Sequence, residues 1–205
     1  MPTGAPAAPE AAPALSGRRI GLSPIAPTDR VAIALLHIDP RVTGLLVDGI
    51  PDTPLKVDAM LRWNAPLAQR GIGTFAIRRH DDPALLGLAS LTPYGDAGDV
   101  LELGARLSPR AWGGGIGLEA AALLVAHAFG AMAHDRLVTA IDPRNRPARF
   151  GALRLGFRPD GHDILFGHPV ERLRLDRADW RGIRPPRQAG PMTSAPGYAS
   201  ANRID

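Results

Sequence analysis

Four glycines fall within the five positions from Gly113 to Gly117, between a strand-like segment and an apolar helix-like segment. Positions without side chains let the backbone approach a ligand closely. A helix that begins just after them adds unpaired amide N–H groups and the positive end of its dipole. This combination favours binding of an anion such as phosphate or pyrophosphate, and it requires a fold in which a strand, a tight turn and a helix follow one another.

Three interpretations of this glycine turn compete. A kinase-type P-loop is excluded because no Lys-Ser/Thr pair follows the glycines. A dinucleotide fingerprint fits in a relaxed form, Gly115-x-Gly117-x-x-Ala120, with Asp142 at the separation of a ribose-binding acid, but no βαβαβ repeat is evident. The glycines could also form only a tight turn, although four are more than a turn needs.

The overall composition narrows the function classes. The 205 residues are 45% hydrophobic and 21% charged, which predicts one globular domain with a sizeable core. No apolar run reaches about 18 residues, so a membrane span is not expected. Cysteine is absent, which excludes disulfides, thiolate catalysis and cysteine-bound zinc. The net charge is only +4, the arginines are dispersed and aromatics are few, so nucleic-acid binding has little support.

The two ends of the chain differ from its middle. Residues 1–17 and 182–205 are rich in Pro, Ala, Gly and Ser and lack apolar periodicity, so we predict that both are disordered. Residues 18–181 are predicted to form the single domain. The first residues have neither a basic region nor a continuous apolar region, so they do not resemble a secretory signal, and a cytoplasmic location is expected.

Within the domain, strands that first follow one another and then alternate with helices predict a mixed α/β sheet. The predicted helices are residues 29–36 with Thr28 as N-cap, 54–70 with a break or kink at Pro66, 115–133, and 147–155 ending at Gly156. The predicted strands are residues 19–25, 73–79, 84–91, 100–107, 136–141, 157–158 extended into 163–166, and 170–175.

Several short motifs accompany the glycine turn. The turn itself contains Arg110-x-x-Gly113-x-Gly115, an Arg/Gln-x-x-Gly-x-Gly/Ala pattern. The other motifs are Glu102-Leu103-Gly104, Leu107-Ser108-Pro109, Trp112-Gly113-x-Gly115-Ile116-Gly117-x-Glu119-Ala120, Asp142-Pro143-x-Asn145, Leu155-Gly156-Phe157 and Leu175-x-Arg177-x-Asp179-Trp180. With this set, over roughly residues 18–181, the chain resembles the GNAT superfamily of N-acetyltransferases, and in particular its ribosomal-protein-alanine acetyltransferase branch.

The resemblance implies an α/β fold, namely a single domain with a strongly twisted mixed sheet and helices on both faces. It also implies that two adjacent strands, here residues 100–107 and 136–141, splay apart and receive the pantetheine arm of acetyl-CoA. The diphosphate would lie on the glycine-turn amides. The residues expected to bind the cofactor are Arg110, Trp112, Gly113, Gly114, Gly115, Ile116, Gly117, Leu118 and Asn145.

Three of these residues have alternative roles. Arg110 is equally consistent with a solvated loop residue, and Trp112 with a packing residue beside the turn. Asn145 precedes Arg146-Pro147, an arrangement that suits a helix N-cap. One Asn145 side chain could serve both as a cap and as a cofactor ligand.

Acetyl transfer to an amine needs a base, because an ammonium group has no lone pair. Glu102 is the candidate, since it lies on the strand that would line the acceptor side and its pKa could rise in an apolar cleft. His162 and His168 are reserve candidates. His127, within the apolar helix, is assigned to packing, and Glu119 to the helix dipole or a hydrogen bond at the core edge. No His, Asp or Glu spacing suggests a metal site.

The sequence departs from the family where a hydroxyl would protonate the departing thiolate. Relatives carry Tyr or Ser at the positions of Ala152 and Ala148. The leading hypothesis is direct transfer from acetyl-CoA to a primary amine in a ternary complex, because no cysteine offers a covalent intermediate. The alternatives are a catalytically weak acyl-CoA-binding or regulatory module and a dinucleotide-binding oxidoreductase. The acceptor is not indicated by the sequence, and the family implies a homodimer.

Overall fold

The computed structural model describes residues 14–46, 53–95 and 100–182. Its centre is one eight-stranded sheet in the order β1-β2-β3-β4-β5-β6-β8-β7. The strands are β1 (Leu15–Ser16), β2 (Ile20–Pro24), β3 (Gly73–Arg79), β4 (Asp82–Tyr94), β5 (Val100–Leu107), β6 (Arg136–Ile141), β7 (Arg158–Leu165) and β8 (His168–Asp176). The predicted mixed α/β sheet is therefore confirmed, and residues 100–107 and 136–141 form strands with the predicted bounds.

Helices cover both faces of this sheet, as predicted. They are α1 (Arg30–Ile38), α2 (Pro40–Thr43), α3 (Pro54–Gln69), α4 (Ile116–Phe129) and α5 (Arg146–Leu155). Neighbouring strand residues face opposite sides, and Ala76 packs with residues of α1–α3 whereas Phe75 and Ile77 pack with residues of α4 and α5. Helix α4 has buried residues on most of its surface, which explains why its sequence is apolar almost throughout.

The sheet opens between β5 and β6. These strands run parallel, and their ladder consists of two residue pairs, Leu101 with Leu137 and Glu102 with Val138. By contrast, β4 and β5 pair along eight positions, and β6 and β8 along six. The two central strands therefore separate after Glu102, toward the carboxyl end of β5, and the splay that the resemblance implied is present.

The cap predicted for α1 is wrong. Pro27–Asp29 form a turn of 3-10 helix, and α1 begins at Arg30 with Asp29 rather than Thr28 at the N-cap position. One carboxylate oxygen of Asp29 accepts a hydrogen bond from the Ala26 amide at 3.0 Å, and the other pairs with Arg78 on β3. The Asp29 carboxylate therefore contacts the turn before α1 and strand β3, and it makes no capping hydrogen bond to the first amides of α1.

Other element boundaries also differ from the prediction. Strand β1 lies before residue 18, the predicted start of the domain. The sequence did not predict it because a two-residue strand is too short to show alternation. Helix α4 stops at Phe129, where Gly130 is the C-cap. Helix α3 continues past Pro66 to Gln69 without interruption. The predictions for residues 1–13 and 183–205 lie outside the described residues.

Within the three described ranges, no helix is both long enough and apolar enough to cross a bilayer.

Candidate active site

The glycine turn connects the carboxyl end of β5 to the start of α4. A turn of 3-10 helix, Pro109–Ala111, comes first, and exposed residues 112–115 follow. Gly113 and Gly115 have φ values of 76° and 74°, in the left-handed region that favours glycine. A Cβ atom placed on Gly113 or Gly114 would meet no other atom within 4 Å, so the surface of the turn is open.

A run of backbone amides lines this open surface. The Trp112 amide donates to the Pro109 carbonyl at 3.2 Å, and the Glu119 amide donates to the Gly115 carbonyl at 3.0 Å. Between them, the amides from Gly113 to Leu118 have no acceptor among the described residues. The last three belong to the first turn of α4, where the helix itself supplies no acceptor. The turn therefore presents consecutive donors to an anion at the positive end of a helix dipole.

Two side chains expected at this turn reach back toward the sheet. Arg110 donates through Nη2 to the Leu85 carbonyl on β4 at 2.9 Å. The Trp112 indole N–H donates to the Leu107 carbonyl at the end of β5 at 3.0 Å, although the side chain remains half-exposed. Both residues brace the turn against the strands, which agrees with the packing alternative for Trp112.

The cation that lies against the glycine turn is Arg19, which the sequence did not single out. Its Nη1 donates to the Gly114 carbonyl at 2.7 Å. Its Nε donates to Glu119 Oε2 at 2.7 Å, and its own amide donates to Glu119 Oε1 at 2.8 Å. Burial alone would raise the pKa of Glu119, but these donations hold that pKa below its usual value. The hydrogen bond at the core edge predicted for Glu119 is confirmed.

Glu102 lies where the two central strands begin to separate. It is opposite Thr92 on β4 and opposite Val138 on β6, in the last ladder pair before the gap. Opposite residues share a face, and Leu88 on that face of β4 packs with α1–α3. Burial raises the pKa of Glu102, and the Ala140 amide opposes the shift in part. The direction of this pKa shift agrees with the expectation from the sequence.

Two positions of β4 on that face, near Glu102, carry hydroxyl side chains. Gly104 is opposite Ser90, and a Cβ on Gly104 would stand only 2.7 Å from the Ser90 hydroxyl oxygen. The hydroxyl of Ser90 therefore fills the position where a larger residue at 104 would place its side chain. Thr92 adds a second hydroxyl side chain directly across from Glu102.

Asn145 serves as a helix cap. Its Oδ1 accepts a hydrogen bond from the Ala148 amide at 3.2 Å at the start of α5, so the N-cap role is confirmed. Its amide nitrogen has no acceptor among the described residues, which leaves it available to a ligand. Ala148 is exposed and Ala152 is buried, and neither supplies a hydroxyl.

The two roles of Asn145 can be separated by substitution. We expect Asn145→Ala to lower the free energy of unfolding by about 0.5–2 kcal/mol, because it removes the cap. Asn145→Asp keeps a capping oxygen and should preserve the melting temperature, but it removes the amide donor. If that donor contacts acetyl-CoA, Asn145→Asp should weaken cofactor binding while stability stays unchanged. Thermal melts and calorimetric titration of the two variants test this, and equal cofactor affinity in wild type and Asn145→Asp would leave Asn145 as a cap alone.

The remaining candidates are exposed or have structural partners. His162 and His168 are exposed on β7 and β8. His127 Nε2 donates to the Gly71 carbonyl at 2.8 Å, which confirms its packing role. Asp142 is held by Arg144 at 2.6 Å. Within the described ranges, no group of three or more His, Asp or Glu side chains could hold a metal ion.

The sheet also argues against the dinucleotide interpretation of the glycine turn. That fold needs a mostly parallel sheet built from βαβ units. Among the described strands, β5 and β6 form the one parallel pair, and every other neighbouring pair is antiparallel.

Comparison with known proteins gives one family and many related structures. The family model for the acetyltransferase (GNAT) domain matches residues 19–158. An acetyltransferase from Agrobacterium tumefaciens is 25% identical, with a TM-score of 0.69 over 80% of this chain and 94% of that one. A ribosomal-protein-S5-alanine acetyltransferase from Vibrio fischeri is 18% identical, with a TM-score of 0.67 over 82% and 98% of the two chains. RimJ from Mycobacterium smegmatis, solved in complex with CoA-disulfide, is 18% identical, with a TM-score of 0.64 over 82% and 88%.

Proposed function

Since this chain belongs to the GNAT acetyltransferases and is an acetyl-CoA-dependent acyltransferase, we propose that it transfers the acetyl group to a primary amine by direct attack while both substrates are bound. The observation that carries the proposal is the position of Glu102. A carboxyl group with a raised pKa lies at the point where the sheet opens, on the strand that leads to the glycine turn.

The cofactor is proposed to lie along β5. Its diphosphate would accept hydrogen bonds from the amides of Gly113 to Leu118, and its pantetheine arm would lie between β5 and β6, where these two strands do not pair with each other. Leu107 lies five positions after Glu102 on β5, and at the rise of a β-strand five steps span about 17 Å. An extended pantetheine arm covers a distance of this order, so the acetyl group would reach the neighbourhood of Glu102.

Glu102 is proposed as the general base. In its ionised form it accepts a proton from the acceptor ammonium, directly or through water, and the amine nitrogen then forms a bond to the acetyl carbon. The C–S bond breaks and the thiolate leaves with the electron pair. The nitrogen, which is positively charged after the attack, loses its second proton through water to this thiolate, so that a neutral amide and a free thiol result. A backbone N–H beside the gap would stabilise the oxyanion. A raised pKa suits this role because the base then operates closer to neutral pH.

The class of acceptor is also a proposal. The fold neighbours include a ribosomal-protein-S5-alanine acetyltransferase, whose name indicates a protein substrate. A protein N-terminus is therefore one proposed acceptor, and a small-molecule primary amine is the other. Both are available with acetyl-CoA in the cytoplasm, which is the proposed location.

The proposed activity is tested by mixing the protein with acetyl-CoA and a panel of amines that includes N-terminal peptides, amino acids, polyamines and aminoglycosides, while free thiol is followed. Thiol release that depends on the acceptor supports the proposal. Saturable acetyl-CoA binding without such release across the panel would favour the binding-module alternative, for which Ala148 and Ala152 are the motivation.

A thermal-shift experiment tests the cofactor separately. At a hundred times its dissociation constant, acetyl-CoA should stabilise the folded protein by about 2.7 kcal/mol. NAD and NADP at the same concentrations should give no shift. Stabilisation by a dinucleotide and none by acetyl-CoA would contradict the proposed cofactor site.

A further inference from the structure

Arg19 approaches the glycine turn from a different part of the chain. It directly precedes β2, and three of its donors are used by the turn and by α4. The Glu119 carboxylate takes two of them, the Arg19 amide and Nε, while the Gly114 carbonyl takes Nη1. The guanidinium group is therefore held in one orientation before any ligand binds.

One edge of this guanidinium group remains unused. Nη2 has no acceptor among the described residues, and it lies 3.5 Å from the position that a Cβ on Gly115 would occupy. Gly115 stands in the run of unpaired amides. The Arg19 side chain is 33% exposed and that of Glu119 only 12%, so the carboxylate lies behind the guanidinium group as seen from solvent.

The other arginine at this turn is differently arranged. Arg110 Nη2 donates to Leu85 on β4. Arg19, by contrast, is fixed on the turn itself, and its unused N–H groups lie beside the unpaired amides. A bound anion at those amides would also lie near the Glu119 carboxylate, and Arg19 is the cation that separates the two charges.

We propose that Arg19 is a diphosphate-binding residue, whose Nη2 edge contacts the anion held by the Gly113–Leu118 amides while Glu119 keeps the guanidinium group in place. This inference rests on the proposed placement of acetyl-CoA at the glycine turn. Arginine suits the role because its planar group can bind a carboxylate on one edge and a phosphate on another.

The test compares two acetyl donors in Arg19→Gln. Acetyl-CoA carries the diphosphate, and S-acetylpantetheine has the same thioester arm without it. We expect Arg19→Gln to raise the KM for acetyl-CoA by roughly ten- to hundredfold, the range for losing a hydrogen bond to a charged group, with little change in kcat. The kinetic constants for S-acetylpantetheine should stay within about twofold of wild type, because that donor has no phosphate for Arg19 to contact.

Arg18→Gln is the matched control. It makes the same charge change at the adjacent residue, whose exposed side chain forms no hydrogen bond or ion pair within the described ranges. Its KM for acetyl-CoA should equal that of wild type. Arg19→Lys keeps the charge but not the planar edge, so its KM should lie between those of wild type and Arg19→Gln. If Arg19→Gln does not fold, the same two-donor comparison in Arg19→Lys decides the question.

A second comparison uses Glu119. In Arg19→Gln the Glu119 carboxylate loses its partner and lies near the bound anion, so adding Glu119→Gln should lower the KM for acetyl-CoA again. A purely structural contact between Arg19 and Glu119 would instead affect both donors alike, since its loss and its relief do not depend on the diphosphate. Recovery of the KM for acetyl-CoA with unchanged constants for S-acetylpantetheine supports the inference, and equal recovery with both donors, or none with acetyl-CoA, overturns it.

The remaining outcomes separate this inference from the proposed function. If Arg19→Gln lost activity equally with both donors, Arg19 would serve only to hold the glycine turn and α4 together. An unchanged KM for acetyl-CoA would exclude Arg19 from the diphosphate site. Either result overturns the inference and leaves the proposed function standing. Wild-type protein that neither binds acetyl-CoA nor releases thiol would instead overturn the proposed function, and the inference with it.

Discussion

Gly115→Glu is expected to abolish acetyl-CoA binding. Gly115 is the N-cap residue of α4, at the centre of the unpaired amides, and its surroundings leave room for a longer side chain next to Arg19. The introduced carboxylate would stand where the diphosphate is proposed to bind and could also take the Arg19 guanidinium group. Two unit charges about 4 Å apart near a protein surface repel by about 4 kcal/mol, which corresponds to a loss of affinity of roughly a thousandfold.

Two controls isolate the charge in that experiment. Gly115→Gln introduces a side chain of the same size at the same φ of 74° without the charge, so both variants share a backbone cost of about 1–2 kcal/mol in stability. Gly151→Glu adds the same charge on α5, at a glycine where a Cβ would meet nothing within 4 Å. In calorimetric titration, wild type and Gly151→Glu should bind acetyl-CoA with equal affinity, Gly115→Gln should bind it more weakly, and Gly115→Glu should bind it most weakly. Wild-type affinity in Gly115→Glu would remove the glycine turn as the cofactor site.

The glycine turn and its free amides could be predicted from the sequence because neighbouring residues alone determine them. Glycines at 113, 115 and 117, followed by an apolar helix, specify a strand-to-helix turn and leave donors without acceptors, and no distant residue is needed for that conclusion. Glu102 could also be predicted from the sequence, since alternation placed it on a strand and apolar surroundings in a cleft predict a raised pKa. The bounds of β5 and β6 follow equally from short-range pattern.

Contacts between distant parts of the chain could not be predicted from the sequence in this way. Arg19 and Glu119 are separated by 100 residues, and nothing near either one marks the other as its partner. An acid in the first turn of a helix is adequately explained by the helix dipole. The same limit applies to Asp29 and Arg78, which pair across 49 positions of the sequence.

The gap between β5 and β6 is a third kind of feature, which neither local sequence patterns nor side-chain contacts reveal. A strand with unpaired backbone groups has the same side-chain alternation as a paired one, so the residues themselves do not reveal the splay. Here the expectation came from the resemblance, and the two-pair ladder of Leu101 and Glu102 with β6 agrees with it. Features defined by missing hydrogen bonds need a structure or a family to be seen.

The second large effect is expected for Glu102→Gln, which should lower kcat by about a hundredfold to ten-thousandfold, the usual contribution of a general base. The amide is nearly isosteric with the carboxyl group but cannot accept the proton of the acceptor. In the wild type, kcat/KM should rise with pH through the raised pKa of Glu102 and then level off, because only the ionised base is active. That limb should lie above the ordinary value of 4.5, and it should be absent from the profile of Glu102→Gln.

The same raised pKa makes a prediction about stability. Burial favours the protonated form of Glu102, so the folded protein binds this proton more tightly than the unfolded chain does. The stability that comes from it is fully present below the ordinary pKa of 4.5, which applies to the unfolded chain, and is lost as pH rises through the folded pKa. Glu102→Gln removes the buried charge and should therefore be at least as stable as wild type at pH 8. The difference should shrink at acid pH, where both side chains are neutral.

Glu171→Gln is the control for both measurements, because it removes a carboxylate on β8 that binds Arg149 at 2.7 Å. It should keep the wild-type pH profile and kcat. A Glu102→Gln enzyme with the wild-type kcat and the same pH limb would exclude Glu102 as the base and direct attention to His162 or His168. A large loss of kcat together with a melting temperature equal to or above that of wild type would be hard to reconcile with a structural role, because a residue needed only for folding should lower stability when it is replaced. That combination is the result expected if the carboxyl group is kept at the opening of the sheet for its proton chemistry, at some cost to the fold.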